Sequence, residues 1–275
     1  MSPYKKTRGI LDQFLKTHKL EEHAKKLHEK LHNYLAYSKT AIKDESNVPL
    51  GTCKIYGLPH LPDSIAFPEG CLFIAQLNCC QLKPFEERYS VIPEKGIIYL
   101  FTDDFCQAKC FYYDGPLEAL KVTPYPEQEE MPYGFELALK DAVTIHFDKD
   151  DQFTVLREGI YEELLGDKCH ELFKELESAL GVKIKMCPDF NNHYLINNFI
   201  FGEPRFWQDE YGGGGYEEDF EDEDGEGSYQ VYDPFYDTLF CMDYGEGNLN
   251  FFATQSPLDM TKDLNGQIVC MYSGT

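Results

Sequence analysis

The chain has 275 residues and a formal net charge of -23, with 43 % hydrophobic and 27 % charged residues. These proportions are those of ordinary globular proteins and exclude global disorder. No apolar run reaches the roughly 18 residues that a transmembrane helix needs, and the Lys-rich N-terminus lacks the apolar region of a signal peptide. We expect a cytoplasmic protein without a transmembrane segment.

The charge is unevenly distributed along the chain. Residues 1–43 hold ten Lys or Arg and four Asp or Glu, a net charge of +6 that leaves -29 for residues 44–275. Nucleic-acid affinity comes largely from Lys and Arg that release counterions from phosphates. We therefore predict that the main domain binds no nucleic acid, and that a basic protein is the partner class its charge favours.

The ten cysteines do not form a disulfide or zinc framework in the sequence. Cys71, Cys241 and Cys270 lie in apolar runs, where cysteine behaves as a small buried hydrophobe, and no Cys-x-x-Cys occurs. The segment from His28 to His32 matches His-Glu-x-x-His, but its neighbours are lysines instead of the apolar residues of a zinc-protease helix. We predict reduced thiols, no metal site and no cofactor.

Residues 1–43 are predicted to form an amphipathic helix. Leu20, Leu27 and Leu31 follow the spacing of one helical face, with Lys and His on the other. The helix either lies on the domain through its leucine face or serves as an arm for an acidic partner or an anionic membrane surface. We assign it to a basic N-terminal helical segment of residues 1–48.

Short apolar and aromatic runs follow, separated by Pro, Gly and acidic clusters, a pattern typical of strands and turns. A helix predicted over residues 162–180 divides the strands into two groups. This order favours an α+β fold with mostly antiparallel sheets. The predicted strands cover residues 71–77, 96–101, 109–113, 118–123, 135–139, 143–147, 194–201, 238–242, 248–253 and 267–272.

The two strand groups share three segments in the same order. These are an aromatic-Gly-x-Pro turn at residues 56–59 and 201–204, a Leu-Phe strand at 72–73 and 239–240, and a glycine-led strand from Gly96 and Gly247. We predict an internal duplication, with halves at about residues 49–160 and 182–275 and a cleft at their junction. Whether Gln76 corresponds to Cys241 or to Asp243 stays open.

Residues 209–226 contain ten acidic residues and no basic one, around a run of four glycines. Because so many like charges cannot pack against each other, we predict an exposed acidic loop inserted at residues 209–230. Its spacing does not fit an EF-hand. The loop either increases solubility or steers basic partners. Its candidate binding residues are Glu217, Glu218, Asp219, Glu221, Asp222 and Asp224.

No catalytic motif is present: the chain has no Gly-x-Ser-x-Gly, no P-loop and no dinucleotide-binding glycine pattern. Polar and aromatic residues beside the matched turns are the ligand- or partner-binding candidates. Gln76 is the most informative, because a buried amide in an apolar strand needs hydrogen-bond partners. It either binds the backbone of a neighbouring turn or lines a binding cleft. The candidates are His60, Gln76, Arg205, Trp207 and Asp243.

Several of these segments together resemble the YwqG-like family, a domain of unknown function, over residues 50 to 275. The matching segments are Gly57-Leu-Pro-His-Leu-Pro, Phe67-Pro68, Leu72-Phe-Ile-Ala-Gln-Leu-Asn, the run from Pro93 to Asp103, Phe201-Gly-Glu-Pro204, Leu239 to Asp243, Gly247 to Phe252, and Asp259 to Leu264. The chain departs from the family at Phe67, where Trp is usual, and at Cys241, where glutamine is expected. The resemblance implies a duplicated α+β fold, a cytoplasmic location and no catalytic residue, and members often lie near toxin and immunity genes.

We therefore predict a non-enzymatic binding protein with an acidic surface for basic partners, and in a sharper form an immunity protein that masks a basic toxin. The alternative is an enzyme or small-molecule-binding protein that uses the cleft between the halves. In that case Gln76 and Asp243 would orient a small polar substrate.

Overall fold

The computed structural model describes residues 3–29, 31–86, 91–103, 107–127, 132, 134–149, 152–156, 169–180, 198–202, 238–244 and 247–274. The fold is α+β with antiparallel sheets, as the sequence predicts. The helices are α1 (Pro3–His18), α2 (Ala24–Glu29), α3 (Cys79–Leu82), α4 (Phe135–Lys140) and α5 (Cys169–Leu180). The strands are β1 (Leu31–Ala36), β2 (Ser38–Ala41), β3 (Lys54–Ile55), β4 (His60–Pro62), β5 (Leu72–Asn78), β6 (Ile97–Thr102), β7 (Ala108–Tyr113), β8 (Leu120–Val122), β9 (Val143–His146), β10 (Gln152–Leu156), β11 (Phe199–Ile200), β12 (Thr238–Tyr244), β13 (Gly247–Ala253) and β14 (Ile268–Gly274).

The described strands form two six-stranded sheets and a two-stranded ribbon. Sheet I has the order β10-β1-β11-β12-β13-β14, and sheet II has the order β2-β9-β3-β5-β6-β7. The ribbon pairs β4 with β8. Consecutive strands β1 and β2 belong to different sheets, and so do β9 and β10. The chain therefore crosses between the sheets at both places.

The largest hydrophobic core is shared by the two sheets. It contains Ile74 and Leu77 of β5 together with Phe240, Leu249 and Phe251 of β12 and β13. We call the face of each sheet that is turned away from this core its outer face. On the outer face of sheet II, Phe73 and Tyr99 pack with Leu61 and Leu120 of the ribbon in a separate cluster. Because successive side chains of a strand alternate between faces, Gln76 lies on this outer face, opposite Leu77.

A third hydrophobic cluster joins the N-terminal helices to the rest of the fold. Leu11 and Leu15 of α1 pack with Leu27 of α2, Leu31 of β1 and Leu176 of α5. The apolar faces of α1 and α2 are thus buried against the domain, which is the first of the two roles considered for the N-terminal segment.

The prediction of a continuous helix over residues 1–43 is wrong. The first helix ends at His18, a second runs from Ala24 to Glu29, and the strands β1 and β2 follow from Leu31. Along β1, Leu31 and Leu35 are buried and the residues between them alternate in exposure. Leu31 and Leu35 are four positions apart, a spacing common to one face of a helix and alternate positions of a strand. The two histidines of the His-Glu-x-x-His segment do not share a helix, because His28 lies in α2 and His32 lies in β1.

The strand predicted at residues 135–139 is α4 instead. Phe135, Leu137 and Leu139 alternate with other residues as in a strand, but Leu137 is 48 % and Leu139 42 % exposed, while Ala138 is buried. Glu, Leu, Ala and Lys are strong helix formers, and here their propensity outweighs the alternation. The Ala138 carbonyl accepts a hydrogen bond from the Gly57 amide, which fixes the helix beside β3.

Most other predicted elements are confirmed where the structure describes them. The predictions at 71–77, 96–101, 109–113, 143–147, 238–242, 248–253 and 267–272 correspond within two residues to β5, β6, β7, β9, β12, β13 and β14. The predictions at 118–123, 162–180 and 194–201 are represented by β8, α5 and β11, and residues 162–168 and 194–197 lie outside the described part. Strands β1 to β4 and β10 were not predicted. In the described residues, no helix combines the length and apolarity that crossing a membrane requires.

Candidate functional site

A turn with two left-handed residues follows the short strand at the centre of each sheet. Tyr56 and Gly57 have φ angles of 59° and 72°, and Phe201 and Gly202 have φ angles of 62° and 79°. A bulky residue rarely adopts a positive φ unless its surroundings hold it there. Tyr56 and Phe201 are both buried in the shared core, which provides that support.

The strands after the two turns have the same irregularity. The β5–β6 pairing shifts register between Phe73 and Ala75, and the β12–β13 pairing shifts between Thr238 and Phe240. Superposing these bulges places Cys241 at the position of Gln76. In this alignment of the bulges, Cys241 and not Asp243 takes the position of that glutamine.

Gln76 binds two separate backbone segments on the outer face of sheet II. Its Oε1 accepts a hydrogen bond from the His60 amide at 2.8 Å, and its Nε2 donates to the Thr52 carbonyl at 2.8 Å. Nε2 also lies 3.2 Å from His60 Nδ1. Of the two roles considered for Gln76, this geometry is that of the first, the binding of neighbouring backbone.

The imidazole of His60 is held neutral in this network. The Gly51 amide donates to Nδ1 at 3.1 Å, so Nδ1 is an acceptor and the ring proton lies on Nε2. Burial, together with the positive charge of Lys54, lowers the pKa of His60 to about 4. Among the described residues, Nε2 has no hydrogen-bond partner, although His60 is fully buried.

An ion pair between the buried Lys54 and the partly exposed Glu45 supports the chain that follows the turn at Tyr56 and Gly57. Lys54 Nζ contacts the Glu45 carboxylate and donates to the Leu58 carbonyl at 2.9 Å, while Glu45 Oε1 accepts from the Leu58 amide at 2.9 Å. Burial lowers the pKa of Lys54, and its hydrogen bond to Glu45 opposes that shift. Tyr99 closes the network, because its hydroxyl donates to the His60 carbonyl at 2.7 Å.

Sequence reasoning did not identify Lys54, Glu45 or Tyr99 as part of this site. A signal was present for Lys54, which stands between Cys53 and Ile55 at a position where an apolar residue would be expected. Tyr99 had no such signal, because a tyrosine in an apolar strand looks like any other core residue.

Asp243 belongs to a different group of residues. It is exposed at the end of β12, and its Oδ2 accepts a hydrogen bond from Asn198 Nδ2 at 2.8 Å. Asn198 Oδ1 in turn accepts from Lys39 Nζ at 2.6 Å. Asp243 and Gln76 therefore lie in different sheets with separate partners. Arg205, Trp207 and the six acidic-loop residues lie outside the described part of the chain.

The buried thiols of Cys53, Cys79 and Cys110 are poor nucleophiles, because their pKa values are raised. Burial raises the pKa of Cys53 to about 12, although the Asn78 amide donates to its sulfur at 3.0 Å. Burial also raises the pKa of Cys79 and of Cys110 well above the ordinary range. Within the described ranges, no three His, Cys, Asp or Glu side chains lie close enough together to hold a metal ion.

The family model described as "Domain of unknown function (DUF1963)" matches residues 53–261. The matched range includes Lys54, His60, Gln76 and both left-handed turns. The YwqG-like resemblance is consistent with this family. No curated protein matches the chain significantly in sequence.

Proposed function

The chain belongs to the DUF1963 family, a domain of unknown function, and from that premise we propose that it is a non-enzymatic binding protein whose acidic surface receives basic partners. The observation that carries the proposal is the concentration of ten acidic residues and no basic one at residues 209–226, in a chain with a net charge of -23. Such a charge distribution attracts basic proteins over a distance set by ionic strength. In its sharper form, the partner is a basic toxin that this protein masks.

The buried groups of sheet II support binding rather than catalysis. A thiol nucleophile with a histidine base needs a lowered thiol pKa beside a histidine that can take up a proton. Here burial raises the pKa of Cys53 and of Cys79 and lowers the pKa of His60. Gln76, the residue considered for orienting a substrate, uses both of its amide atoms to hold the backbone.

The proposal includes the duplication of residues 49–160 and 182–275 and a cytoplasmic location. The duplication is supported by the similar left-handed turns, by the similar bulges, and by the matching order of four strands, β11-β12-β13-β14 and β3-β5-β6-β7. The cytoplasmic location is supported by the buried thiols of Cys53, Cys79 and Cys110, because structural thiols of this kind persist in a reducing compartment.

Titration with an oligolysine peptide at low and high salt tests the binding function, with oligoglutamate as the control peptide. We expect oligolysine alone to bind, with an affinity that falls as salt rises. A variant in which the six candidate acids of the loop become Gln or Asn should bind about tenfold more weakly or worse. The altered residues are Glu217, Glu218, Asp219, Glu221, Asp222 and Asp224.

A matched variant controls for net charge. It neutralises six exposed acids elsewhere on the surface and should keep most of the affinity. Equal losses in the two variants would show that total charge, and not the acidic loop, attracts the peptide, and absence of oligolysine binding at low salt would overturn the proposal. The control residues are Glu69, Glu118, Glu127, Glu136, Asp141 and Asp148.

A second candidate function, binding of a small polar molecule, is favoured by one observation. The Nε2–H of His60 is a buried donor without a partner in the described part of the chain. Such a donor is usually satisfied by an ordered water or a ligand. The ring resonances of His60 report on this candidate: a small molecule from the host extract that shifts the His60 Nε2 signal would support it, and a signal unchanged by any extract fraction would count against it.

A further inference from the structure

The strand β2 forms an uncovered edge of sheet II. All of its residues, Ser38–Ala41, are exposed, and in the described part of the chain its only strand neighbour is β9. The other sheet edges are covered: the Cys110 amide of β7 donates to Asn265 Oδ1 at 2.8 Å, β14 lies against β7, and α1 lies against β10. Such covering keeps an edge strand from pairing with another chain, and β2 does not have it.

The backbone groups of Lys39 and Ala41 point away from β9. The Ile42 amide donates to the Ala142 carbonyl at 2.9 Å, so Ile42 directs its backbone groups toward the β9 side. Because these directions alternate along a strand, Thr40 also faces β9, whereas Lys39 and Ala41 face outward. Two N–H and two C=O groups at this edge are therefore directed toward the position that a further strand would take.

The features that usually block pairing at an edge strand do not operate on β2. The strand contains no proline, and its pairing with β9 has no register shift. Its one charged side chain, Lys39, is drawn toward sheet I, because Nζ donates to Asn198 Oδ1 at 2.6 Å and lies 5.7 Å from the centre of the Tyr37 ring. The other side chains of β2 are small and uncharged, so the edge is open to a partner strand.

We propose that β2 pairs with β2 of a second copy of this chain, antiparallel and about a two-fold axis at Thr40. The strand is complementary to itself, because the axis interchanges Lys39 and Ala41, and each outward N–H then meets an outward C=O of the other copy. Lys39 lies opposite Ala41, so no two lysines face each other directly. The two copies of Thr40 form a non-hydrogen-bonded pair, in which cross-strand threonines interact favourably.

The effect of salt separates this contact from the proposed function. Each copy has a net charge of -23, so the copies repel each other, and added salt should strengthen the dimer by screening that repulsion. The same change weakens the binding of a basic partner. The inference goes beyond the proposed function, and either can fail alone. A dimer that does not bind oligolysine would reject the binding function and leave the β2 contact intact.

Sedimentation equilibrium of the full chain at low and high salt measures the dissociation constant of the dimer. Ala41→Pro removes an outward N–H and keeps the groups that bind β9, since proline is tolerated on an edge strand where its nitrogen faces solvent. Each dimer then loses two hydrogen bonds, and we expect the dissociation constant to rise about tenfold or more. Ala41→Val is the matched control, because it keeps the N–H and should leave the dissociation constant close to that of the unaltered protein.

Cross-linking decides the matter if Ala41→Pro does not fold. Cysteines at Thr40 of the two copies would lie at a distance that a disulfide can bridge, so Thr40→Cys should form a covalent dimer in oxidised glutathione. Thr17→Cys, on the exposed side of α1, should cross-link no more than the unaltered protein. A monomer at both salt concentrations, a folded Ala41→Pro variant with an unchanged dissociation constant, or Thr40→Cys cross-linking at the level of Thr17→Cys would each overturn the proposal.

Discussion

The rings of Tyr37 and Phe147 meet edge to face, with centroids 6.5 Å apart and planes at 79°. Tyr37 follows β1, where the chain leaves sheet I for sheet II, and Phe147 follows β9, where it leaves sheet II for sheet I. The contact therefore joins the two crossings of the chain. Tyr37 also stacks on Phe240 and donates its hydroxyl to the Cys241 carbonyl at 3.0 Å, which ties the crossing to β12.

A double-mutant cycle measures what this contact contributes. We expect Tyr37→Leu and Phe147→Leu to be coupled by about 0.5–1.5 kcal/mol in urea unfolding, because aromatic pairs interact beyond their buried area. Tyr37→Leu combined with Phe67→Leu provides the control, since Phe67 packs with Phe101 in the outer cluster of sheet II. Coupling of equal size in the control pair would show that the effect is a general loss of packing.

Replacement of Gln76 tests whether its amide is structural. Gln76→Leu removes the partners of the His60 amide and the Thr52 carbonyl, and two buried backbone groups without partners should cost about 2–4 kcal/mol of unfolding free energy. Gln81→Leu is the control, because Gln81 is exposed on α3 and the change there should stay within about 0.5 kcal/mol. A Gln76→Leu variant as stable as the unaltered protein would contradict the network described here.

The lowered pKa of His60 predicts a pH dependence of stability. In the folded protein this pKa is about 4, against an ordinary value of 6.5, so the unfolded chain takes up the proton first as the pH falls. Stability from this group is complete above about pH 6.5 and decreases by about 3 kcal/mol between pH 6.5 and pH 4. The measurement is the free energy of unfolding at a series of pH values across this range.

His60→Asn isolates this contribution from the other titrating groups. Asparagine keeps an acceptor near the position of Nδ1 but does not titrate. Its unfolding free energy should therefore fall less steeply with pH than that of the unaltered protein. Parallel pH curves for the two proteins would mean that His60 has its ordinary pKa in the folded state.

Two glycines with similar φ angles separate backbone strain from steric overlap. In Gly57→Ala, φ is 72° and the new methyl group would lie 2.9 Å from the Ala142 Cβ and overlap the Glu45 carboxylate. We expect a loss of about 2–5 kcal/mol. In Gly70→Ala, φ is 67° and, among the described residues other than its chain neighbours, no atom lies within 4 Å of the new methyl group, so strain alone should cost about 1–2 kcal/mol. Equal losses at the two sites, measured by thermal unfolding, would show that the overlap at Gly57 is relieved without cost.

Local sequence patterns were sufficient to predict strands such as β5 and β6, whose neighbours in the sheet are close in the chain. Residues 71–77 and 96–101 are apolar runs bounded by turn residues, and they form the adjacent strands β5 and β6. The residues of β1 gave an ambiguous pattern, since Leu31 and Leu35 fit a helix and a strand equally well. Their conformation is decided by pairing with β10 and β11, which the local sequence does not reveal.

The candidate site could be predicted only in part, because the local sequence does not reveal contacts between distant residues. Gln76 was identified because its amide is unusual in an apolar strand, and the repeated turn directed attention to His60. The ion pair between Glu45 and Lys54 was missed, because the sequence does not show that these two side chains, nine residues apart, meet. Asp243 was grouped with Gln76 on the assumption of a common cleft, but the alternation along β5 turns Gln76 toward the outer face of sheet II.

The crossing of β1 into sheet II also has a consequence for synthesis of the protein. Tyr37 and its partner Asn198 are 161 residues apart in the chain. At a translation rate of about 5–20 residues per second, β1 would wait on the order of 10–30 s on the ribosome before β11 and β12 of sheet I exist. During that interval the edge of β1 that later pairs with β11 has no strand beside it, so we expect chaperone binding to the nascent chain to be strongest before β11 and β12 are made.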